Sequence, residues 1–170
     1  MSAVRLRNLK KKDAPFMLEW MKDSSIACFF RFDAMHMTVT DCETFIECVQ
    51  NDKKSIHLAI VDSNDEYLGT ISLKNIDTEK KEAEYAISTR KKAHGTGVAL
   101  IATQEILRIA FEELGLTRVY LNVLQENKRA NSFYKKVGFQ LDYCEESGFV
   151  KDGTTYALNW YHITLPKLKF

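Results

Sequence analysis

Apolar and polar positions alternate over "VRLRNL", residues 4–9, with the period of two that marks a strand half buried in a sheet. Past Asp13 the period lengthens. Phe16, Met17, Trp20 and Met21 fall on one face of a helix in "APFMLEWMK", with Asp13 as its cap and Pro15 tolerable in its first turn. Thr40 and Glu43 stand at capping-box spacing ahead of "TFIECVQN", where Phe45, Ile46 and Val49 recur at helical intervals, so a second helix is predicted there. The pattern then returns to strands: "IHLAIV", "YLGTISLKNI" and "AEYAIST", separated by the polar turns "DSNDE" and "DTEKKE", read as an antiparallel meander.

A long helix over residues 97–114 follows, then the β-branched strand "TRVYLNV". The short helix "KRANSFYKKV" takes Asn127 as cap and Gly138 as stop, ahead of the strand "FQLDYCEE". Asp152-Gly153 is a type I′ hairpin signal leading into "TTYALNWYHIT". The long helix serves as the crossover that lets one strand lie parallel to its neighbour. The expected architecture is therefore α/β, with a mixed central sheet that is antiparallel at first and flanked by helices.

Composition narrows the function. At 170 residues the chain suits one domain, 1–170, and two prolines with seven dispersed glycines give no linker. A charged fraction of 28% with 45% apolar residues is that of a soluble globular protein, and no window approaches the roughly 20 apolar residues that span a bilayer. The N-terminal segment lacks the apolar core of a secretory signal, so a cytoplasmic location without membrane attachment is expected. A net charge of +1 provides no field to collect polyanions, which argues against nucleic acid as a partner. Cys28, Cys42, Cys48 and Cys144 lack Cys-x-x-Cys spacing and the four histidines are scattered, so no metal is expected and the thiols read as buried or half buried.

The stretch "AISTRKKAHGTGVAL" runs from a strand through Gly95 and Gly97 into the long helix. Such a junction presents unpaired N–H groups with the positive end of the helix dipole behind them, which suits a phosphate. A plain glycine turn is the alternative, since Gly-x-Gly alone is degenerate. A Walker A loop is excluded because no Gly-Lys-Ser/Thr occurs, and a dinucleotide-binding loop because Leu100 stands where the third glycine belongs.

"HGTGVA" resembles the Gln/Arg-x-x-Gly-x-Gly/Ala signature of the GCN5-related N-acetyltransferases, with Gly97 and Ala99 at the small positions and His94 where that family has Gln or Arg. "NKRANSFYKKVGF" is similar to the family's Asn-x-x-Ala-x-x-x-Tyr-x-Lys-x-Gly-Phe helix at Asn127, Ala130, Tyr134, Lys136, Gly138 and Phe139. The resemblance covers residues 3–165 and leans toward the ribosomal-protein-alanine and amino-sugar branches. It implies a single-domain fold whose parallel pair splays at a cofactor slot, and acetyl-CoA as co-substrate. By the same resemblance, Ile87 and Ser88 offer backbone groups to pantetheine. The backbone of Lys92, Ala93, His94, Gly95, Thr96, Gly97, Val98 and Ala99 holds the pyrophosphate, and Asn127 and Asn131 reach the pantetheine arm or the phosphates.

Acetyl transfer to an amine needs a neutral amine and a proton for the departing thiolate. Tyr134 is the candidate acid: a phenol near pKa 10 beside a thiol near 8.5 can reprotonate the sulfur. On spacing alone, with Ala130, Phe133, Tyr134 and Val137 at helical intervals, a packed tyrosine is the preferred reading, and it is the resemblance that makes it the acid. Glu84, on a strand, is a candidate base or a solvated carboxylate, with Glu126 a weaker candidate. Acceptor specificity is implied to come from the connection between the first helices, "SSIACFFRFDAMHMT". There Phe30 is a wall or a core residue, and Arg31 is able to grip a phosphate. A single acid, Asp33, between Ser24 and Val39 lowers polyamines in rank. The expected acceptor is a small-molecule primary amine such as a nucleotide-linked amino sugar, with a protein N-terminus or a non-catalytic CoA-binding role as alternatives. A monomer or homodimer is expected.

Overall fold

The computed structural model describes residues 3–24 and 33–165. In chain order its main elements are β1 (Arg5–Asn8), α1 (Ala14–Lys22), α2 (Val39–Val49), β2 (Ile56–Val61), β3 (Tyr67–Asp77) and β4 (Glu82–Thr89). Then come α3 (Val98–Arg108), β5 (Arg118–Leu124), α4 (Lys128–Val137), β6 (Gln140–Lys151) and β7 (Thr154–Thr164). The seven strands form one sheet in the order β1-β2-β3-β4-β5-β7-β6, and only β4 and β5 run parallel. The α3 crossover makes that parallel neighbour possible, as the change of period predicts.

Alternation along the strands assigns the two faces. Ile71, Leu73, Tyr85, Val119, Leu121, Tyr161 and Ile163 point to one side, where Ala102, Ile106 and Leu107 of α3 and Tyr134 and Val137 of α4 complete a core. On the other side Ala59, Val61 and Tyr67 meet Met17, Trp20 and Met21 of α1 and Cys42 and Ile46 of α2. Strand β3 is covered on both faces, which is why "YLGTISL" is buried throughout instead of alternating.

Four local expectations change. Asp13 precedes α1 but does not cap it, because both its carboxylate oxygens accept from Arg7 (2.8 and 2.9 Å) and one also accepts from the Lys10 amide. Phe16 is 41% exposed, turned from the core and lying under the Arg90 guanidinium, 5.0 Å from its ring centroid. Helix α2 begins two residues earlier than Thr40 and Glu43 imply: Thr38 and Asp41 form the reciprocal capping box. The long helix winds regularly to Arg108 and then widens into a π-helical turn, Ile109–Glu113. At the hairpin, Asp152 and Gly153 both take positive φ, 51° and 77°, as a type I′ turn requires. Of the thiols, Cys42 is buried but Cys48 and Cys144 are exposed; Cys28 lies outside the described residues, as do Phe30 and Arg31.

Candidate active site between two parting strands

Strands β4 and β5 stay paired for three residues only: Glu82 with Arg118, Ala83 with Val119 and Glu84 with Tyr120. Beyond Glu84 they part, so Tyr85–Thr89 keep their β3 partners but lose the β5 side of the ladder. Alternate N–H and C=O groups along that edge therefore face a cleft instead of a strand, a ready template for an amide-bearing chain. The cleft encloses about 860 Å³. Glu84 and Lys74 line it at the vertex, while Lys91, His94, Lys128 and Arg129 line it where the strands have ended. Glu84 and Thr89 are five residue steps apart, so the two ends lie on the order of 17 Å apart along β4.

Tyr134, on α4, lines the cleft from below. Its ring is held edge-on by Tyr85, Phe133 and Phe139 at centroid distances of 5.8, 5.6 and 5.8 Å. The side chain is 8% exposed, and burial pushes the phenol well above its usual value. Its hydroxyl has no hydrogen-bond partner among the described residues, in contrast to Tyr85, which meets Thr103 at 2.7 Å, and Tyr161, which donates to Asn131 at 2.7 Å. A packed tyrosine and a free hydroxyl facing a cleft are thus both true of this residue. The phenol stays protonated across ordinary pH, with its proton uncommitted.

The glycine loop is built by backbone conformation. Gly95 and Gly97 have φ of +74° and +85°, and a Cβ at either would meet nothing within 4 Å, so left-handed backbone is what demands glycine here. The turn Lys91–Ala93 uses the Ala93 and His94 amides on Arg90 and Lys91 carbonyls, and the Thr96 hydroxyl accepts from Val98 N at 3.4 Å. The amides of Gly95, Gly97, Ala99 and Leu100 have no acceptor among the described residues, which leaves four N–H groups at the start of α3 for an anion.

Of the residues singled out in the sequence, Glu84, Ile87, Ser88, His94, Ala99, Asn127 and Tyr134 line the cleft. Lys92, Ala93, Thr96 and Val98 instead face a smaller hollow against Val4 and Leu68, and Lys92 pairs with Glu66 at 2.6 Å. Asn131 does not reach the cleft: its amide nitrogen donates to the carbonyls of Leu124, Gln125 and Asn127, and its oxygen accepts from Asn159 and Tyr161. It braces the β5–α4 corner instead. Asn127 caps α4 by accepting from Ala130 N at 3.2 Å, and Glu84 is held by Lys74 and Asn75, both at 3.3 Å.

His94, where the family signature has Gln or Arg, makes a contact of its own. Arg129 Nη1 lies 2.7 Å from its Nδ1, and an arginine only donates, so Nδ1 accepts and the neutral ring carries its proton on Nε2. Burial, then the Arg129 charge, lowers the imidazole below its usual range. Nothing in the sequence marks Arg129, because a Lys-Arg pair such as Lys128-Arg129 at a helix start is common surface charge.

Nor does the sequence mark the sheet face beside Glu84. Tyr120, Trp160 and Tyr143 stack across β5, β7 and β6 at 6.4 and 6.0 Å, with Trp160 Nε1 donating to Glu145 at 2.9 Å. Arg118 already sits 5.3 Å over the Tyr120 ring. Asn122, next on that face after Tyr120, lines the cleft with its Oδ1 buried and without a partner among the described residues, a state that costs about 1–3 kcal/mol. The alternation in "RVYLNV" would have put Arg118, Tyr120 and Asn122 on one side, but nothing in it says that the strand loses its neighbour there. Among the described residues no group of three or more His, Cys, Asp or Glu side chains could hold a metal, and no helix is long and apolar enough to cross a membrane.

The acetyltransferase (GNAT) domain model matches residues 3–140. The chain belongs to this family. As a GNAT protein it is an acyltransferase, and its mixed sheet with one parallel pair is the family's fold. Spermidine N(1)-acetyltransferase of Escherichia coli K12 is 26% identical over 145 residues, 82% of this chain and 74% of that protein. The putative ribosomal N-acetyltransferase YdaF of Bacillus subtilis is 28% identical over 95 residues, 56% of this chain and 52% of that protein. The crystal structure of the Vibrio cholerae spermidine N-acetyltransferase with CoA and spermine superposes with a TM-score of 0.87 at 21% identity, covering 96% of each chain.

Proposed function

We propose that this GNAT protein transfers the acetyl group of acetyl-CoA directly to a primary amine of a small cationic acceptor of the polyamine class. The observation that carries the reading is the cleft between β4 and β5, with a free phenolic hydroxyl in its wall and four free amides at the start of α3. The diphosphate fits those amides together with Lys91, Lys128 and Arg129, and the pantetheine arm fits the unpaired edge of β4. Bound acetyl-CoA supplies the activated acetyl group. Tyr134 Oη holds the proton that a departing sulfur requires. Burial raises phenol and thiolate in the same direction, so their match survives desolvation.

A polyamine amine near pKa 10.4 costs roughly 4–5 kcal/mol to deprotonate at neutral pH, so the acceptor side must favour the amine and take its proton. Glu84 sits at the vertex for that role. The acids that matter come from the sheet, not from residues 24–39: Glu84 and Glu145 flank the stacked Tyr120, Trp160 and Tyr143, a strip suited to an organic cation. This raises polyamines above the amino sugar that the sequence favoured, in keeping with the spermidine acetyltransferases among the relatives. The amino-sugar reading leaned on Arg31, outside the described residues. The YdaF relative keeps a protein N-terminus as the second reading.

Incubating the protein with acetyl-CoA and, side by side, spermidine, a UDP-amino sugar and an alanine-terminated peptide tests this directly. Thiol release is expected with spermidine at a rate at least tenfold above the others. Turnover of the peptide or sugar alone would reassign the acceptor, and tight CoA binding with no turnover would make the protein a non-catalytic binder.

A further inference from the structure

The orphaned oxygen of Asn122 is the observation left over once the cofactor slot is filled. Among the described residues it is the single buried side-chain oxygen or nitrogen without a partner, and it belongs to a residue lining the main cleft. Its position follows from the parting of the strands. Glu84 and Tyr120 are the last paired residues, and on the same face the next residue of β5 is Asn122, while the next on β4 is Ala86. A continuous sheet would bring a neighbour across; here Ala86 offers only a methyl group. Elsewhere on this face other polar side chains are paired: His57 meets Ser72 at 2.7 Å, His162 meets Asp142 at 2.6 Å and Trp160 meets Glu145.

The orphan is an acceptor, and so is the Glu84 carboxylate, on the facing strand and lining the same cleft. Two acceptors near the vertex, one from each parting strand, call for a ligand with two donors on one atom. A neutral primary amine has two N–H bonds and one lone pair. We infer that Asn122 Oδ1 and Glu84 each take one N–H of the acceptor amine, leaving the lone pair free for the acetyl carbon. This rests on the amine-acetylation reading above and deepens it, for it makes Asn122 the residue that selects primary over secondary amines. Attack is by the amine whose ammonium proton has already left through Glu84 to solvent; it forms the N–C bond as the C–S bond breaks, the nitrogen gives its second proton to the Glu84 carboxylate, and the thiolate takes its proton from Tyr134, which regains one from solvent. Asn122 itself exchanges no proton. A secondary amine has one N–H, so one of the two acceptors loses its partner and an N-methyl group is forced against it.

The test uses Asn122→Leu, close in volume and without an acceptor, with spermidine and its terminally N-methylated analogue as probes and CoA affinity by calorimetry as the control. Wild type is expected to prefer the primary amine at least thirtyfold in kcat/KM. Asn122→Leu should raise KM for spermidine about tenfold, reduce that preference to less than threefold and bind CoA as wild type does. Asn122→Asp, which keeps an acceptor, should retain the preference. An unchanged preference in Asn122→Leu overturns the inference while leaving acetyl transfer intact. So does a crystal structure of the CoA complex in which a pantetheine amide N–H occupies Asn122 Oδ1. Absence of turnover with every amine, alongside normal CoA binding, would sink the amine reading itself and this inference with it.

Discussion

At the scale of single residues, Tyr134 combines two demands that usually conflict. Its ring is clamped by Tyr85, Phe133, Phe139 and Tyr161, and each such aromatic pair is worth roughly 0.5–1.5 kcal/mol beyond the area it buries. Its hydroxyl contributes nothing to this, since it has no partner among the described residues. Tyr134→Phe should therefore leave thermal stability within about 0.5 kcal/mol of wild type, or raise it slightly, because no hydrogen bond is lost. Turnover should fall on the order of a hundredfold, the usual worth of a positioned general acid. A melting curve and a steady-state assay on the same preparation separate the two. A tyrosine that is only packing would show no fall in turnover.

At the scale of elements, the site depends on glycines that act in different ways. Gly69 on β3 backs the edge of β4, and a Cβ there would lie 2.6 Å from the Ser88 carbonyl and 2.9 Å from Thr89 Cα, both backbone atoms that cannot step aside. Gly69→Ala should cost about 1–3 kcal/mol and displace the strand edge that faces the cleft. Gly97→Ala meets empty space but must hold φ near +85°, a cost of about 1–2 kcal/mol for a residue with a Cβ. Calorimetric CoA titration should show both variants weakened several-fold, and limited proteolysis should find new cleavage only in Gly97→Ala, near the start of α3. The sequence made Gly97 conspicuous and Gly69 invisible. A glycine in a loop breaks a pattern, whereas a glycine inside "YLGTISL" hides in an apolar run, and its reason lies in a neighbouring strand. The same division runs through the site. Tyr134, Glu84 and the loop were legible because local motif and period carried them. Asn122 and the His94–Arg129 bond were not, because each depends on where β4 and β5 separate, which is a tertiary event.

At the scale of the whole molecule, charge ties the helices to the slot. Arg90, immediately after β4, pairs with Glu19 of α1 and donates to Glu66 at 3.1 Å and to the Tyr67 carbonyl at 2.9 Å, while its own carbonyl anchors the turn that opens the glycine loop. Such a network makes stability depend on pH, and the histidines set the first window. His57 and His94 are both lowered from 6.5, the first by burial and then the Lys74 charge, the second by burial and then Arg129. A folded-state value below the unfolded one means that the unfolded chain binds protons first as pH falls. Stability therefore rises with pH through this window and is lost on acidification from about 6.5 downward. The carboxylates Asp65, Glu66 and Glu105 are held below their usual values, chiefly by hydrogen bonds from Lys12, Lys92 and Arg108 respectively. Their stabilisation is present above the unfolded carboxylate range, near 4, and is withdrawn only below it. Two separate losses should appear in urea melts taken from pH 7.5 to pH 3.5. Replacing His57 and His94 together by asparagine should flatten the upper limb and spare the lower one. In the His94 single variant CoA affinity should also vary less between pH 7 and pH 5.5 than in wild type, the remainder coming from the cofactor's own phosphate, because no ring remains there to take a proton and give up the hydrogen bond from Arg129 at the mouth of the cleft. An upper limb unchanged in the double variant would mean that these rings titrate alike in both states and that the acid sensitivity of the fold lies with its carboxylates.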